Sequence, residues 1–369
     1  MLRICHVTSV HNRYDVRIFL KECVSLVKAG YSVTLLCADN LPDELNQGVT
    51  ILSVPRMPVG RIRRIISAGK VMKKKALLID AEIYHLHDPE LLPLALKLKK
   101  KGKKVIFDSH EDYPLNIAYK KWIPRFLRKT ISRLYSVFED YVFKSVDAVI
   151  AVTPQICDRV LKINPHSTLI TNYPIIDQQN LPEGWERDYL CFAGVIAESR
   201  LHHSILKAME KTPNIEYRLA GWGNEQYLNR LKLMPAWART NFLGPLTYSE
   251  VKTLYKKAFA GIVIESYSPM NYGKQGSLGV TKLFEYMAAG LPIICTDFDY
   301  HKEIIEKFDC GICVNPENIE AIANAINILH AHPEISEKMG RNGYDAFLNH
   351  YNWLSQETNL LQLYRSLSS

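Results

Sequence analysis

Short apolar runs recur along the whole chain, punctuated by glycine, proline and charged residues, and between them lie stretches with apolar residues three and four apart. The first pattern is that of strands buried on both faces, and the second that of amphipathic helices. Leu2–Ser9 reads as a strand, Asp15–Ala29 as a helix closed by Gly30, and Tyr31–Cys37 as a second strand. This β-α-β opening predicts a parallel, doubly wound sheet. The alternation continues with a helix over Arg61–Leu78, strands over Glu82–Leu86 and Lys104–Asp108, and a long amphipathic helix over Ile123–Phe143 with Pro124 in its first turn. Strands over Asp147–Thr153 and Thr168–Tyr173 follow, and Pro174–Arg187, rich in proline and amides, has the composition of a linker. A second series then runs through strands at Tyr189–Ala193, Glu216–Ala220, Asn241–Gly244 and Gly261–Glu265, with a helix over Ser249–Ala258 before the last of them. Next come a short helix from Thr281 to Gly290, strand Pro292–Cys295, helix His301–Lys307, strand Gly311–Val314 and helix Asn318–His330. An amphipathic helix, Trp353–Leu367, ends the chain, and no solenoid repeat or low-complexity segment interrupts it.

Composition changes this picture in three places. A chain of 369 residues predicts about two domains, and 47% hydrophobic with 23% charged residues excludes a disordered or fibrous class. No apolar run approaches the ~20 residues that span a bilayer, and Met1–Val10 reads as a strand rather than a signal peptide. The expectation is a cytoplasmic protein or one peripheral to the inner face of the cytoplasmic membrane. The net charge of +8 is uneven: residues 1–180 hold 28 Lys and Arg against 17 Asp and Glu, and the remainder 18 against 21. One half is therefore suited to an anionic partner. Most of the eight cysteines lie in apolar runs and read as buried thiols. Cys310 and Cys313 have metal-like spacing, but His330 and His332 stand at the wrong distance to complete a zinc finger, so no metal site is expected there.

The candidate chemistry lies at loop–helix and strand–loop junctions. Gly276–Ser277–Leu278–Gly279–Val280–Thr281 runs into the short helix, so backbone N–H groups and the positive end of a helix dipole are offered to an anion. Leu283, Phe284, Met287 and Ala288 form its apolar stripe, and Lys282 and Glu285, three apart, share another face. The plain alternative is a core helix with a charged edge. The first strand–helix turn lacks the dinucleotide glycine fingerprint, which argues against a nicotinamide enzyme. It carries His11, Arg13, Asp15 and Arg17 instead, and Asp15 also suits a helix N-cap. Two successive strands end in His87–Asp88–Pro89 and Ser109–His110–Glu111–Asp112, where α/β enzymes place polar groups for a site. In the second half, Gly194 precedes Arg200 after one strand, and Gly221–Trp222–Gly223 follows another. Asp297–Phe298–Asp299 is a carboxylate pair that reads as a polar loop capping the next helix. No nucleic-acid reading module is evident.

Lys282–Leu283–Phe284–Glu285–Tyr286–Met287–Ala288–Ala289–Gly290–Leu291–Pro292 resembles the donor-site helix of the retaining, nucleotide-sugar-dependent glycosyltransferases of family 4, of the bacterial surface-polysaccharide type, which have the GT-B fold. His11–Asn12–Arg13–Tyr14–Asp15–Val16–Arg17–Ile18–Phe19 and Tyr84–His85–Leu86–His87–Asp88–Pro89–Glu90–Leu91 resemble the other half of the same family.

The resemblance implies two Rossmann-like doubly wound α/β domains facing across a cleft. Residues 1–180 would bind the acceptor and residues 181–352 the nucleotide-sugar donor, with the last helix (353–369) crossing back to the first domain. It implies transfer of a hexosyl group from a UDP- or GDP-sugar to a lipid-linked or growing polysaccharide acceptor. His110, Arg200 and Lys282 would be catalytic. Gly194, Gly221, Ser277, Gly279, Val280, Thr281 and Glu285 would bind the donor, and His11, Arg13, Asp15, Arg17, His87, Asp88 and Glu111 would face the acceptor. Two departures stand out: Leu201 replaces the glycine that follows the cation in many relatives, and Ser277 replaces the first of two glutamates separated by seven residues, of which Glu285 is the second. No cofactor or catalytic metal is expected, because cations and a helix N-terminus can neutralise a leaving diphosphate. The basic half, through Arg61–Lys75 and Lys120–Arg133, would meet an anionic membrane. The alternatives are a nucleotide-sugar epimerase of the same fold and a non-enzymatic polyanion-binding protein.

Overall fold

Strand Arg3–Val7 (β1), apolar but for Arg3 and His6 and buried from Ile4 on, stands at the centre of an eight-stranded sheet. A computed structural model describes residues 1–55, 71–120, 122–176 and 187–368, and it divides the chain into two units: Met1–Asn172 with Trp353–Ser369, and Tyr173–Asn352. In the first unit β1 is joined by Ser32–Ala38 (β2), Glu44–Asn46 (β3), Val49–Val54 (β4), Ile83–Leu86 (β5), Lys104–Ser109 (β6), Ala148–Ala151 (β7) and Thr168–Leu169 (β8). Their order is β3-β4-β2-β1-β5-β6-β7-β8, parallel throughout except for the β3–β4 hairpin. Register places Val7 opposite Leu86 and Leu86 opposite Phe107, so the residues that follow β1, β5 and β6 emerge at one carboxyl edge. That edge is where open α/β sheets bind ligands.

The predicted helix over Asp15–Ala29 is present but not uniform. Asp15 caps it as expected, its carboxylate accepting from the N–H groups of Arg17 and Ile18, both at 2.9 Å. The carbonyl of Asp15 then accepts from both Phe19 and Leu20, and Val16–Cys23 winds as a π-helix before Val24–Lys28 continues as α-helix. The wide turn buries Arg17, Lys21 and Glu22 along with Ile18, Phe19 and Cys23. π-Helical turns are rare and concentrate at functional sites.

The second unit's sheet comprises Tyr189–Ile196 (β9), Glu216–Gly223 (β10), Thr240–Gly244 (β11), Ala258–Val263 (β12), Ile293–Thr296 (β13) and Gly311–Val314 (β14). All pairs are parallel, in the order β11-β10-β9-β12-β13-β14. This is the Rossmann order, with its reversal between β9 and β12. Each unit has its own apolar core.

Helix Trp353–Ser368 belongs to the first unit. Trp353 donates its ring N–H to Ser25 Oγ at 3.0 Å, and Gln356 accepts from the backbone of Thr171 at 2.9 Å. Several expected boundaries shift. Ser249–Ala258 is realised as Tyr248–Lys256, because Thr247 and Glu250 form a capping box that sets its start. Strand β12 then begins at Ala258, three residues ahead of the predicted Gly261. Pro124 lies just outside the long helix, which runs Arg125–Ser145. The sequence pattern gives no helix over Pro333–Asn349, yet one is present; Gly340 and Gly343 are buried in it, and Gly343 lies against Met287 and Cys310. All eight cysteines are free thiols, seven of them buried. Among the described residues no helix is long and apolar enough to cross a membrane. The basic run at residues 61–70 and the centre of the predicted linker, residues 177–186, lie outside the described residues.

Candidate active site

In the first unit the carboxyl edge brings together two imidazoles, each backed by a buried carboxylate. His110 Nε2 lies 3.2 Å from Asp108 Oδ2, and His11 Nδ1 lies 3.1 Å from Asp88 Oδ1. The two rings are 5.0 Å apart. Asp88 is 2% exposed and accepts from the backbone N–H of Ser9 at 2.6 Å and the hydroxyl of Thr8 at 2.8 Å. Burial opposes its charge, but His11 and these donors outweigh burial and bring its pKa down to about 2. Burial likewise lowers the pKa of His11, and Asp88 more than compensates, so it ends raised. Asp108, also buried against its charge, is held well below the carboxylate range by Arg17 and His110. Such imidazole–carboxylate pairs fix ring orientation and tautomer, and they suit a group that donates to or accepts from a substrate hydroxyl.

Not every residue expected to face the acceptor does so. Arg17 is buried, its guanidinium forking onto Asp108 at 2.9 and 3.1 Å and donating to the Ile170 carbonyl at 2.9 Å. Arg13 is equally buried, bound to both oxygens of Asp39 and to Glu44. Both arginines are internal struts, held by carboxylates that lie mostly far along the chain, with Glu22 also 3.1 Å from Arg17. Asp15 is committed to the helix cap, and His87 is fully buried behind His110, with burial pushing its pKa down to about 4. His11, half-buried His110 and exposed Glu111 remain at the surface of the edge. Asp108, although it ends an expected strand, carries no local signal of its partnership with Arg17, 91 residues away. Strand alternation puts His85 on the same face as His87, and that signal was available.

In the second unit the loop 276–280 leads into helix Thr281–Ala288, whose N-cap, Val280, supplies no side-chain hydrogen bond. Its first backbone donors therefore have no side-chain acceptor, the arrangement that suits an anion. Gly290 ends the helix with a positive φ of 62°, and Leu291 N–H returns to the Tyr286 carbonyl at 2.9 Å. Lys282 Nζ lies 2.6 Å from Glu285 Oε2; Thr281 donates to Glu285 Oε1 at 3.0 Å and Tyr255 to Oε2 at 3.2 Å. Burial opposes the charge of Glu285, and these three donors still hold its carboxyl below the usual range. Of the expected stripe, Leu283, Phe284 and Met287 are buried, with Tyr286 in place of half-buried Ala288.

The glycines here are required by contact. A Cβ on Gly194 would meet Lys282 Cε at 3.1 Å, and one on Gly221, whose φ is +128°, would come within 1.8 Å of the Gly194 carbonyl oxygen. Gly276, at φ +74°, leaves room for Phe298. Ser277 Oγ accepts from the Gly279 N–H at 3.1 Å, so that amide is already engaged. Arg200 stacks over Phe192 and lies 3.2 Å from Glu265, a buried carboxylate at the end of β12 that sequence reasoning missed. Burial raises the pKa of Glu265 and Arg200 opposes that shift. Leu201 occupies the left-handed region at φ 40°, the conformation that glycine would take there without strain. Asp297 is bound by the Tyr267 hydroxyl and braces the loop, but the next helix, Asp299–Phe308, has Phe298 as its N-cap and no side-chain capping bond, so the expected carboxylate cap is not made.

Two family models match the chain: one described as glycosyl transferases group 1 over residues 175–346, and one described as glycosyltransferase family 4 over residues 16–177. A comparison with curated proteins found no match. Among solved structures, the chain is similar to sucrose-phosphate synthase of Thermosynechococcus elongatus, at 17% identity and TM-score 0.76, covering 100% of this chain and 99% of that one. It is similar to a glycosyltransferase of Rickettsia africae, at 16% identity and TM-score 0.70, again over 100% and 99%. A third is Anabaena HepE in complex with UDP-glucose, at 11% identity and TM-score 0.73, over 99% and 100%. Matched by the two models from residue 16 to residue 346 and folded as two parallel-sheet units, the chain belongs to the family 4-type glycosyltransferases with the GT-B fold.

Proposed function

We propose that this glycosyltransferase moves a hexosyl group from a UDP- or GDP-sugar to a hydroxyl of a lipid-linked or growing polysaccharide acceptor, retaining the anomeric configuration. The observation that carries the reading is the half-site of the second unit: Lys282 beside Gly194 at a helix start without a side-chain cap, with Glu285 one turn in. A leaving diphosphate needs positive charge and oriented amides, and Glu285 can accept from a ribose hydroxyl. Anabaena HepE, of the same fold, was solved with UDP-glucose, which supports a nucleotide-sugar donor. In the first unit, His110 and His11 with their carboxylates supply polar contacts for the acceptor hydroxyl. Purified protein, offered UDP-, GDP-, ADP- and CMP-sugars with a lipid-linked acceptor, should release nucleoside diphosphate from one donor and give a product of unchanged anomeric configuration. Interconversion of free nucleotide sugars without transfer would establish the epimerase instead.

Arg200, Lys282 and the helix amides neutralise the diphosphate in this reading, with no metal ion at the donor. Turnover then continues when EDTA is added at the start of the assay; activity silenced by EDTA and restored by Mn²⁺ would move the role to Asp297 and Asp299. The anionic membrane is the second proposed partner. Helix Arg125–Ser145 leaves Phe126 81% and Leu134 67% exposed, with Val137 and Tyr141 also exposed beside Arg125, Lys129 and Arg133. An exposed apolar stripe flanked by cations suits the headgroup region of anionic lipid.

A further inference from the structure

We propose that His6, Glu22, His85 and His87 form a closed site for one divalent transition-metal ion of the zinc class inside the first unit. His6 lies on β1, His85 and His87 on β5, and Glu22 on the π-wound helix. The β1–β5 register sets His6 directly opposite His85. All four side chains are fully buried, and each offers a ligand atom within 4.8 Å of the other three. Three of those atoms form a compact triangle: His6 Nδ1 to His87 Nε2 is 3.0 Å, His6 Nδ1 to Glu22 Oε2 is 3.8 Å, and His87 Nε2 to Glu22 Oε2 is 3.9 Å. Ligands about 2.05 Å from a tetrahedral ion stand about 3.3 Å from one another, so the triangle needs only small adjustments to become one face of that tetrahedron.

The outward nitrogens are already held. Tyr364 OH lies 2.8 Å from His85 Nδ1 and 3.2 Å from His6 Nε2, and His87 Nδ1 lies 3.3 Å from His110 Nε2 and 3.6 Å from Asp108 Oδ2. If the Tyr364 oxygen accepts from both rings, the lone pairs of His6 Nδ1 and His85 Nε2 point inward. Outer partners that fix ring orientation in this way are the usual companions of metal-binding histidines. A single proton shared between His6 and His87 would satisfy that pair alone. It would leave His85 Nε2 and both oxygens of Glu22 without hydrogen bonds, although Arg17 Nε is 3.1 Å from Glu22 Oε1. One cation serves all four groups at once. Four protein ligands and no open position make the ion structural, so the inference does not depend on the proposed donor or acceptor.

The test uses the full chain made without a metal-binding tag. Elemental analysis should find one zinc per chain. After unfolding in chelator and refolding with Co²⁺, the protein should show the visible ligand-field bands of tetrahedral cobalt and melt at a higher temperature than chain refolded without metal. Tyr364→Phe, which keeps the four ligands and the ring, should take up cobalt about 10–100-fold more weakly. Wild-type chain that refolds in zinc or cobalt, binds neither and melts at the same temperature with or without them would overturn the proposal. Glu22→Gln melting above wild type under both conditions would likewise overturn it, assigning the pocket to a protonated carboxyl.

Discussion

Glu285 is engaged by three donors, and a carboxylate can accept about four hydrogen bonds, so a nucleotide ribose can bind in full only if Lys282 turns from Glu285 toward the diphosphate. The two residues thus hold each other ready for a ligand that separates them. Replacing Glu285 by Gln removes a charge-assisted contact, and free UDP or GDP should bind about 1.5–3 kcal/mol more weakly, roughly ten- to a hundred-fold. Ser277→Ala should leave the free diphosphate nearly unchanged and weaken the intact sugar donor. Calorimetry on both ligands separates the two effects, and unchanged diphosphate affinity in folded Glu285→Gln would reduce Glu285 to the charged edge of a core helix. The Lys282–Glu285 pair was legible because both partners lie one turn apart in one motif. Arg13 and Arg17 were not, because a sequence displays a charge without the carboxylate that claims it, and Asp39 and Asp108 are 26 and 91 residues away.

Elements were legible where one period dominated. The strands buried on both faces read cleanly, whereas the β3–β4 hairpin, short and partly exposed, gave no such run. Helix Pro333–Asn349 was hidden by Gly340 and Gly343, both poor helix formers; Gly343 lies close against Met287 of helix Thr281–Ala288. Strands β9 and β10 face each other at Gly194 and Gly221, and the 1.8 Å clash that a Cβ would make there is with backbone, which cannot swing aside. Gly221→Ala should therefore destabilise the second unit by at least about 2 kcal/mol and abolish donor binding, as a denaturation curve and the same calorimetry would report. Wild-type melting in that variant would mean the turn relaxes. The apolar stripe of helix Arg125–Ser145 was visible in sequence, but its exposure was not. Phe126→Ser with Leu134→Ser should reduce sedimentation with anionic liposomes while leaving stability nearly unchanged, since neither side chain is buried. Equal binding of wild type to neutral vesicles would remove the electrostatic part of this reading.

At the scale of the molecule, the fold class and the return of the last helix to the first unit follow from strand–helix alternation and the family motifs, but the buried ionic interior of the first unit does not, and it makes stability depend on pH in two directions. Asp88 is brought down to about 2, so its contribution is complete above the ordinary carboxylate range and disappears as the pH falls through 2. Glu139, fully buried on helix Arg125–Ser145, has the opposite sign. Burial raises its pKa to about 7, against the pull of Arg159 at 2.6 Å, with Tyr135 and Asp112 also near. A carboxyl raised in the folded state binds more protons than in the unfolded chain, so it stabilises below its ordinary pKa of about 4.5 and that stability is lost as the pH rises through 7. The shift corresponds to about 3 kcal/mol across that window. Glu139→Gln cannot titrate and should remove that slope. Denaturant unfolding of the first unit at pH 4.5, 6, 7 and 8 should show wild type losing about 3 kcal/mol relative to the variant as pH rises, most of it between 5 and 7. Parallel curves would mean that Arg159 holds Glu139 ionised throughout, with an ordinary pKa despite its burial.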